Sequence, residues 1–469
     1  MSQPNRIEIA RETAPPSPRS PRAAPRQDPA IARTLAVLDL AFGPPSRRNY
    51  DVRLWDGTVQ RGGASPAADF SIFFARRGGL RRMLLPPSEL TIVEAIISGD
   101  VEIEGNMESS MGLADDIGKN VQSAGGFAKL LPAVLALPKD DEAPPLDETR
   151  YSRGLRLLTP RARKSSASEI RFHYDVGNDF YALWLDKRML YTCAYYKKET
   201  DDLETAQLNK VDHICRKLRL KPGERYLDIG CGWGGLVMHA VEKYGVIGTG
   251  ITLSAAQAEW AQRRIVEKGL GDRCKVEVMD FRDLPASARF DKISSVGVTE
   301  HIPEDQQPAY FRRVFDALEP AGLMMNHCEV STRTARRTYT VGEKFSRWLW
   351  KRDQFIDKYV FPDAKLVSLA AVIRSAEKVG FETRDVESLR EHYALTLRAW
   401  IKGLEQRKAE AIRLVGDRTY RVWKLYMSAA AYGFDSAGLN LVQTLLAKPG
   451  PGGDSKMPLT REYMYQTPT

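Results

Sequence analysis

Along the 469 residues, apolar positions recur in turn at strand spacing and at helix spacing, and the order of these segments differs between the two parts of the chain. Early on, residues 31–42 read as a short helix and 50–61 as a hairpin with a type I′ turn at Asp56-Gly57. Residues 69–75 then read as a strand, 90–97 as a helix, and GDVEIEGNME as an alternating strand through Val101 and Ile103. From residue 226 onward strand and helix alternate. Strands are predicted over 226–229, 246–253, 275–279, 290–297 and 323–330, with helices over 236–244, 255–268 and 307–318. Late helices are expected over 393–414 and 420–446. Such alternation implies a mostly parallel sheet covered on both faces, with ligands beyond the carboxyl ends of its strands. The expected fold is α/β, a Rossmann-like sheet with helical additions behind a small α+β domain. The boundaries fall at 1–29 for a disordered basic, proline-rich tail, 30–137 for the α+β domain and 138–167 for a linker. The sheet domain then spans 168–448, and 449–469 forms a flexible tail.

Composition narrows the class without changing this picture. Hydrophobic residues at 43% and charged residues at 28% belong to a globular protein. No apolar run approaches the roughly 20 residues that cross a bilayer. The net charge of +9 suits an anionic partner. Arg76, Arg77, Arg81 and Arg82 beside Leu80 and Leu84, and the six basic residues of 150–164, suit either phospholipid headgroups or a solvated face. The stretch 344–359, with Trp348 and Trp350 among basic residues, reads as a membrane anchor, a lid or an ordinary amphipathic helix. Five cysteines at 193, 215, 231, 274 and 328 form no C-x-x-C pair. That argues against a disulfide framework and a metal site, and with no signal-type apolar segment in the first 29 residues it points to the cytoplasm.

The candidate chemistry starts at LDIGCGWGG, residues 227–235, where a strand runs into a glycine turn and then a helix. Glycine permits positive φ, and the open amides of a helix start attract an electron-rich ligand. A dinucleotide site would end its second strand on an acidic residue. Here that strand ends in GITLSAAQ, whose Thr252, Ser254 and Gln257 offer hydrogen bonds without charge. The turn and the alternation fit instead the nucleoside-binding sheet of S-adenosylmethionine methyltransferases.

The block FHYDVGNDFYALWLDKRMLYTCAYY at 172–196, then LDIGCGWGG, GITLSAAQ and SVGVTEHI at 295–302, resembles the cyclopropane-fatty-acyl-phospholipid synthase and mycolic acid cyclopropane synthase family. The stretch PPSELTIVEAIISGDVEIEGNMES is similar to the amino-terminal domain of the bacterial cyclopropane synthases. The resemblance implies methyl transfer from S-adenosylmethionine to the double bond of an unsaturated acyl chain on a membrane phospholipid. A cyclopropane is the first expected product and a methyl or methylene branch the second. It also implies a bicarbonate base cradled by Cys193, Glu300, His327 and Tyr393. The implied cofactor contacts are Tyr191, Thr192, Gly230, Cys231, Gly232, Thr252, Leu253, Ser254, Gln257, Phe281 and Arg282. Asp228 is expected to hold the glycine turn or reach the methionine amino group. Implied partners are the phospholipid, an anionic membrane surface bound peripherally at its inner face and, as a homodimer, a second copy of the chain. No metal and no nucleic acid is expected.

Departures from the family pattern bear on the product. Thr299-Glu300-His301 stands where F-E-H is usual, and His327-Cys328-Glu329 where H-T-I is usual. Glu329, counted with the catalytic set, either takes or repels the bicarbonate position, or points outward to pair with Arg333. Ala430 stands where the family often has cysteine, and KYVFPDAKLVSL lacks the usual glycine pair after FP. Two rival classes fit the sequence less well. A nucleobase methyltransferase would carry an N/D-P-P-Y/F motif, which is absent; a non-catalytic lipid-binding protein would not need Glu300, Cys193 and His327, which are present.

Overall fold

The computed structural model describes residues 28–65, 67–86, 88–113, 124–139, 176–332, 355–361 and 366–466. The basic tail, the basic run of 150–164, Phe172 to Asp175 of the first motif block, most of 344–359 and Arg333 therefore lie outside the described residues.

The amino-terminal part opens with helix α1 (Pro29–Phe42), started by Asp28, whose carboxylate accepts from the Ala30 amide. A four-stranded sheet follows, β1 (Asp51–Arg53), β2 (Val59–Gln60), β3 (Phe70–Phe74) and β4 (Val101–Gly105), ordered β2-β1-β3-β4. The hairpin joining β1 to β2 is present, but its turn is not type I′. Of the turn residues only Gly57 has positive φ, the Gly57 amide bonds the Leu54 carbonyl and the Leu54 amide bonds the Thr58 carbonyl. That is a three-residue loop closed by a left-handed glycine, with the Asp56 carboxylate taking the Thr58 amide. Helices α2 (Gly79–Leu84), α3 (Glu89–Ile97), α4 (Met107–Ser110) and α5 (Ala124–Leu135) complete this part.

The arginines around α2 are neither free for headgroups nor simply solvated. Arg76 and Arg82 converge on buried Asp100 at 3.1 and 2.7 Å, Arg77 pairs with Asp28, and Arg81 donates to the carbonyls of Val134, Leu135 and Leu137. They tie α2 to the ends of its neighbours.

The second part begins with α6 (Asn178–Ala182) and α7 (Leu203–Lys217) and carries a seven-stranded sheet ordered β10-β11-β9-β8-β5-β6-β7. Strands β5 (Arg225–Ile229), β6 (Ile247–Thr252), β7 (Cys274–Val278), β8 (Phe290–Val296) and β9 (Leu318–Ser331) are parallel, as the alternation requires. Helices α8 (Gly235–Tyr244), α9 (Ala255–Glu267), α10 (Gln307–Ala317) and α11 (Leu369–Glu377) pack around them. The chain leaves β5 toward β6 and β7 on one side and returns to β8 and β9 on the other, so the crevice above β5 and β8 is the topological switch point.

Two late expectations are corrected. Residues 439–446 do not continue a helix. Helix α13 (Lys408–Asp435) ends before Ala437, at φ +54°, and Gly438, and Leu439–Ala447 forms β11, antiparallel to both β9 and β10 (Glu382–Ser388). A largely apolar run, interrupted at Asn440, Gln443 and Thr444 and buried on both faces, shows no strand alternation, so pattern alone does not separate the two. Nor is the stretch after 449 a free tail as far as residue 466. Met464 is 2% exposed, its carbonyl accepts from Arg216 Nε at 2.8 Å, and Arg461 pairs with Asp385 at 2.7 Å.

The two parts meet across α12 (Arg390–Gln406) and α13, where Arg398 bonds Glu108 and Arg421 bonds Glu102. No helix among the described residues is long and apolar enough to cross a membrane.

Candidate active site

Strand β5 delivers the chain into the glycine turn, where Gly230, Gly232 and Gly234 all have positive φ. A Cβ on Gly230 would lie 2.3 Å from Val298 Cγ2, so the turn and the loop after β8 pack at a distance only glycine allows. At Gly232 a Cβ would meet nothing within 4 Å, because that face opens onto a cavity of about 450 Å³. The cavity stands over the switch point, as the strand order demands.

One wall gathers the predicted cofactor residues. Tyr191, Thr192, Asp228, Gly230, Cys231, Gly232, Thr252, Leu253, Ser254, Gln257, Phe281 and Arg282 all line it. Ser254 caps α9 by accepting from the Gln257 amide, while Thr252 Oγ1 donates to Gln257 Oε1 at 2.8 Å. Phe281 stands edge-on to Tyr310 with its ring in the cavity wall, and Arg282 is held beside it by Asp280. Asp228 shows no bond to the glycine turn. Its Oδ1 accepts from Ser294 Oγ at 2.5 Å, which in turn takes the Tyr226 hydroxyl at 2.5 Å. Burial pushes Asp228 up to about 7 against that bond and the pull of Lys210.

The opposite wall gathers the expected catalytic residues, which come from four places in the sequence. Cys193 sits in a loop pinned to α12: the Ala194 amide donates to Thr396 Oγ1 and the Tyr196 amide to His392 Nδ1, both at 3.0 Å. Tyr393 on the same helix reaches the cavity. Glu300 lies in the turn after β8, and His327 and Glu329, two apart on β9, share one face while Cys328 faces away. Cys193 donates weakly to the Ala194 carbonyl, and burial pushes its thiol up, so it stands as a neutral thiol.

Glu329, whose expected alternative partner Arg333 lies outside the described residues, faces the cavity and accepts the Tyr393 hydroxyl. Burial pushes it up to about 7, against that hydrogen bond. Glu300 is pushed up to about 8, by burial first and then by the charge of Glu329. His327 is held well below its ordinary value by burial and is neutral. Its Nδ1 takes a hydrogen bond of 3.2 Å from Gln443 on β11, leaving Nε2 as the donor toward the cavity. His327 Nε2 and Glu300 Oε2 have no partner among the described residues.

Several lining residues were not among the expected site residues. His301, noted only as part of Thr299-Glu300-His301, is half-buried, held down to about 4 by desolvation, and faces Phe361. Phe361, Leu366, Tyr426 and Leu441 make the far wall apolar. Lys210, on the buried face of α7, also lines the cavity, and Gln443 supports His327 from a stretch expected to be helical. A lysine in an amphipathic helix and a glutamine in an apolar run look ordinary until burial is known.

The sequence and the architecture match known proteins. The family model described as Mycolic acid cyclopropane synthetase matches residues 161–444. A probable fatty acid methyltransferase of Pseudomonas putida is 36% identical over 91% of this chain and 100% of its own. The cyclopropane-fatty-acyl-phospholipid synthase of Escherichia coli K12 is 35% identical over 63% of this chain and 72% of its own. The crystal structure of mycolic acid cyclopropane synthase CmaA1 complexed with SAH and CTAB superposes with a TM-score of 0.56 at 31% identity, covering 61% of this chain and 99% of that one. With the glycine turn, the non-acidic second strand and the matched cavity in place, this chain belongs to the mycolic acid cyclopropane synthetase family of S-adenosylmethionine-dependent methyltransferases.

Proposed function

We propose that this enzyme methylates the double bond of an unsaturated fatty acyl chain on a membrane phospholipid, with Glu329 as the base that takes the proton released, working peripherally at an anionic membrane face. The observation that carries the reading is Glu329 itself, a carboxyl enclosed beside neutral His327 at the junction of the cofactor wall and an apolar wall.

An alkene has no proton to lose before it attacks, so a base is needed only afterwards. When bound, S-adenosylmethionine supplies an electrophilic methyl on a sulfonium. The apolar wall of Phe361, Leu366, Tyr426 and Leu441 suits an acyl chain and keeps water from the cation that follows C–C bond formation. Ionised Glu329 opposes that positive charge and accepts the proton. If the proton leaves the added methyl, its C–H electron pair closes a cyclopropane. If it leaves after a hydride shift, or from a neighbouring chain carbon, the product is branched. Cyclopropane is the first reading; the full-length match to a probable fatty acid methyltransferase favours a branch as the second.

Bicarbonate does not suit this enclosure. The Tyr393 hydroxyl is already engaged by Glu329, and a third anionic centre beside two carboxyls raises the cost of ionising any of them. The unpartnered His327 Nε2 and Glu300 Oε2 are satisfied as well by a water.

The test is mass spectrometry of phospholipids from cells expressing the protein, before and after catalytic hydrogenation. Unsaturated chains should gain one carbon and two hydrogens, a ring resisting hydrogenation and a methylene taking it up. Absence of any chain lengthened in this way would overturn the reading.

A further inference from the structure

Lys210 is a cation in an unusual position. It is 1% exposed, lines the cofactor cavity, and has one hydrogen-bond partner among the described residues, Thr192 Oγ1 at 2.7 Å. No carboxylate among the described residues lies within ion-pair distance of its Nζ. The nearby acids are committed elsewhere: Asp186 accepts the Leu190 and Arg188 amides, and Asp228 accepts Ser294. Burial pushes Lys210 down to about 8, with Asp186, Cys193 and Asp228 opposing. A buried ammonium with two unused donors lacks a counter-anion.

Its setting specifies that anion. Gln207, one helical turn earlier, donates to the Leu190 and Thr192 carbonyls, so α7 holds the loop carrying Tyr191 and Thr192 and presents Lys210 beside it. Asp228, also lining the cavity, is the complementary case, an acid that burial holds up toward neutrality despite the Ser294 bond and the more distant charge of Lys210. A guest offering a carboxylate to one and an ammonium to the other satisfies both. The amino-acid end of the cofactor carries those two groups, and its carboxylate is its sole anionic group.

We propose that Lys210 is a cofactor-binding residue that pairs with the α-carboxylate of the S-adenosylmethionine methionine moiety, with Asp228 taking the α-ammonium. Thr192 orients the lysine, and the pair sets which way the amino-acid end lies in the cavity. Recognition is thus of a zwitterion, and a ligand lacking the carboxylate loses half of it.

Calorimetric titration of the full chain tests this with two probes, S-adenosylhomocysteine and its decarboxylated analogue, which keeps the amine. Wild type should bind the first about 10- to 100-fold more tightly, the range of a hydrogen-bonded charge contact. Lys210→Met should lose that margin, weakening S-adenosylhomocysteine about 10- to 100-fold while leaving the analogue within about twofold. Equal weakening of both would make Lys210 a support for the Thr192 loop only, and no weakening of either would remove it from binding; both overturn the proposal. If Lys210→Met does not fold, wild type decides. The affinity ratio of the two probes should already fall as pH rises through about 8, where Lys210 gives up its proton and both ligand amines are still charged. A ratio constant from pH 6 to about 8.5 would overturn the proposal.

Discussion

Two sets of buried carboxyls in this protein behave in opposite ways. At the cavity, Glu300 and Glu329 stand with neutral His327 and, among the described residues, no cation within ion-pair distance, and both are pushed up, to about 8 and about 7. Beneath the carboxyl-terminal segment, Glu387 and Asp385 share buried Lys217 at 2.5 and 3.2 Å, and Arg461 closes on Asp385. Burial pushes Glu387 upward too, yet hydrogen bonds from His213 and Lys217 and their charges bring it down to about 2. Desolvation is common to both sets, so the cation decides the outcome. Glu387 thus belongs to a structural latch and stays ionised throughout the physiological range, whereas the cavity pair is poised to gain or lose a proton near neutrality, as a catalytic base requires.

The largest test of that contrast is Glu329→Gln. Methyl incorporation into unsaturated phospholipid vesicles should fall about 10²- to 10⁴-fold, the usual weight of a positioned base, with S-adenosylhomocysteine affinity unchanged. Activity within fivefold of wild type would place the base elsewhere. Stability to urea should hold or rise, because an unpaired buried carboxyl is removed.

Lys217→Met should do the reverse. It strands two buried carboxylates and should cost about 3–5 kcal/mol in chemical denaturation, the scale for breaking a buried pair from one side. Cofactor binding in the folded fraction should persist. A loss under 1 kcal/mol would mean that His213 and Arg461 suffice to hold the latch.

The smallest effect is a displacement along the pH axis. Glu329 must be ionised to accept a proton, so turnover should decline as pH falls through about 7. The Tyr393 hydrogen bond lowers that value, so Tyr393→Phe should move the acid limb of the kcat profile to higher pH by about one to two units, from the strength of a hydrogen bond to a charged group. An unmoved limb would show that the limb reports another group.

Much of the site was legible because its signals are local. Glycines 230, 232 and 234 mark a turn wherever they follow an apolar strand, and a strand ending in TLSAAQ rather than an acid argues against a dinucleotide without any knowledge of tertiary contacts. Strand ends named the regions of Thr252, Phe281, Glu300 and His327 because a parallel sheet gathers all its carboxyl ends at one edge. The misreadings have a shared cause. In residues 439–447 the polar Asn440, Gln443 and Thr444 follow no period of two, so only insertion between β9 and β10 makes the segment a strand. Arg76 to Arg82 look like a headgroup patch until Asp100 and the end of α5 close on them.

By itself, then, the sequence determined the parallel sheet, the methyl donor, the family and the set of residues available to the chemistry, since each depends on spacing within a few turns or strands. The tertiary structure alone decided that Glu329 faces inward onto Tyr393, that Lys210 has no carboxylate partner among the described residues, and that Met464 closes over Arg216. Those outcomes depend on desolvation and on charges brought together from positions as far apart as residues 213 and 464, and such terms exist only once the chain has folded.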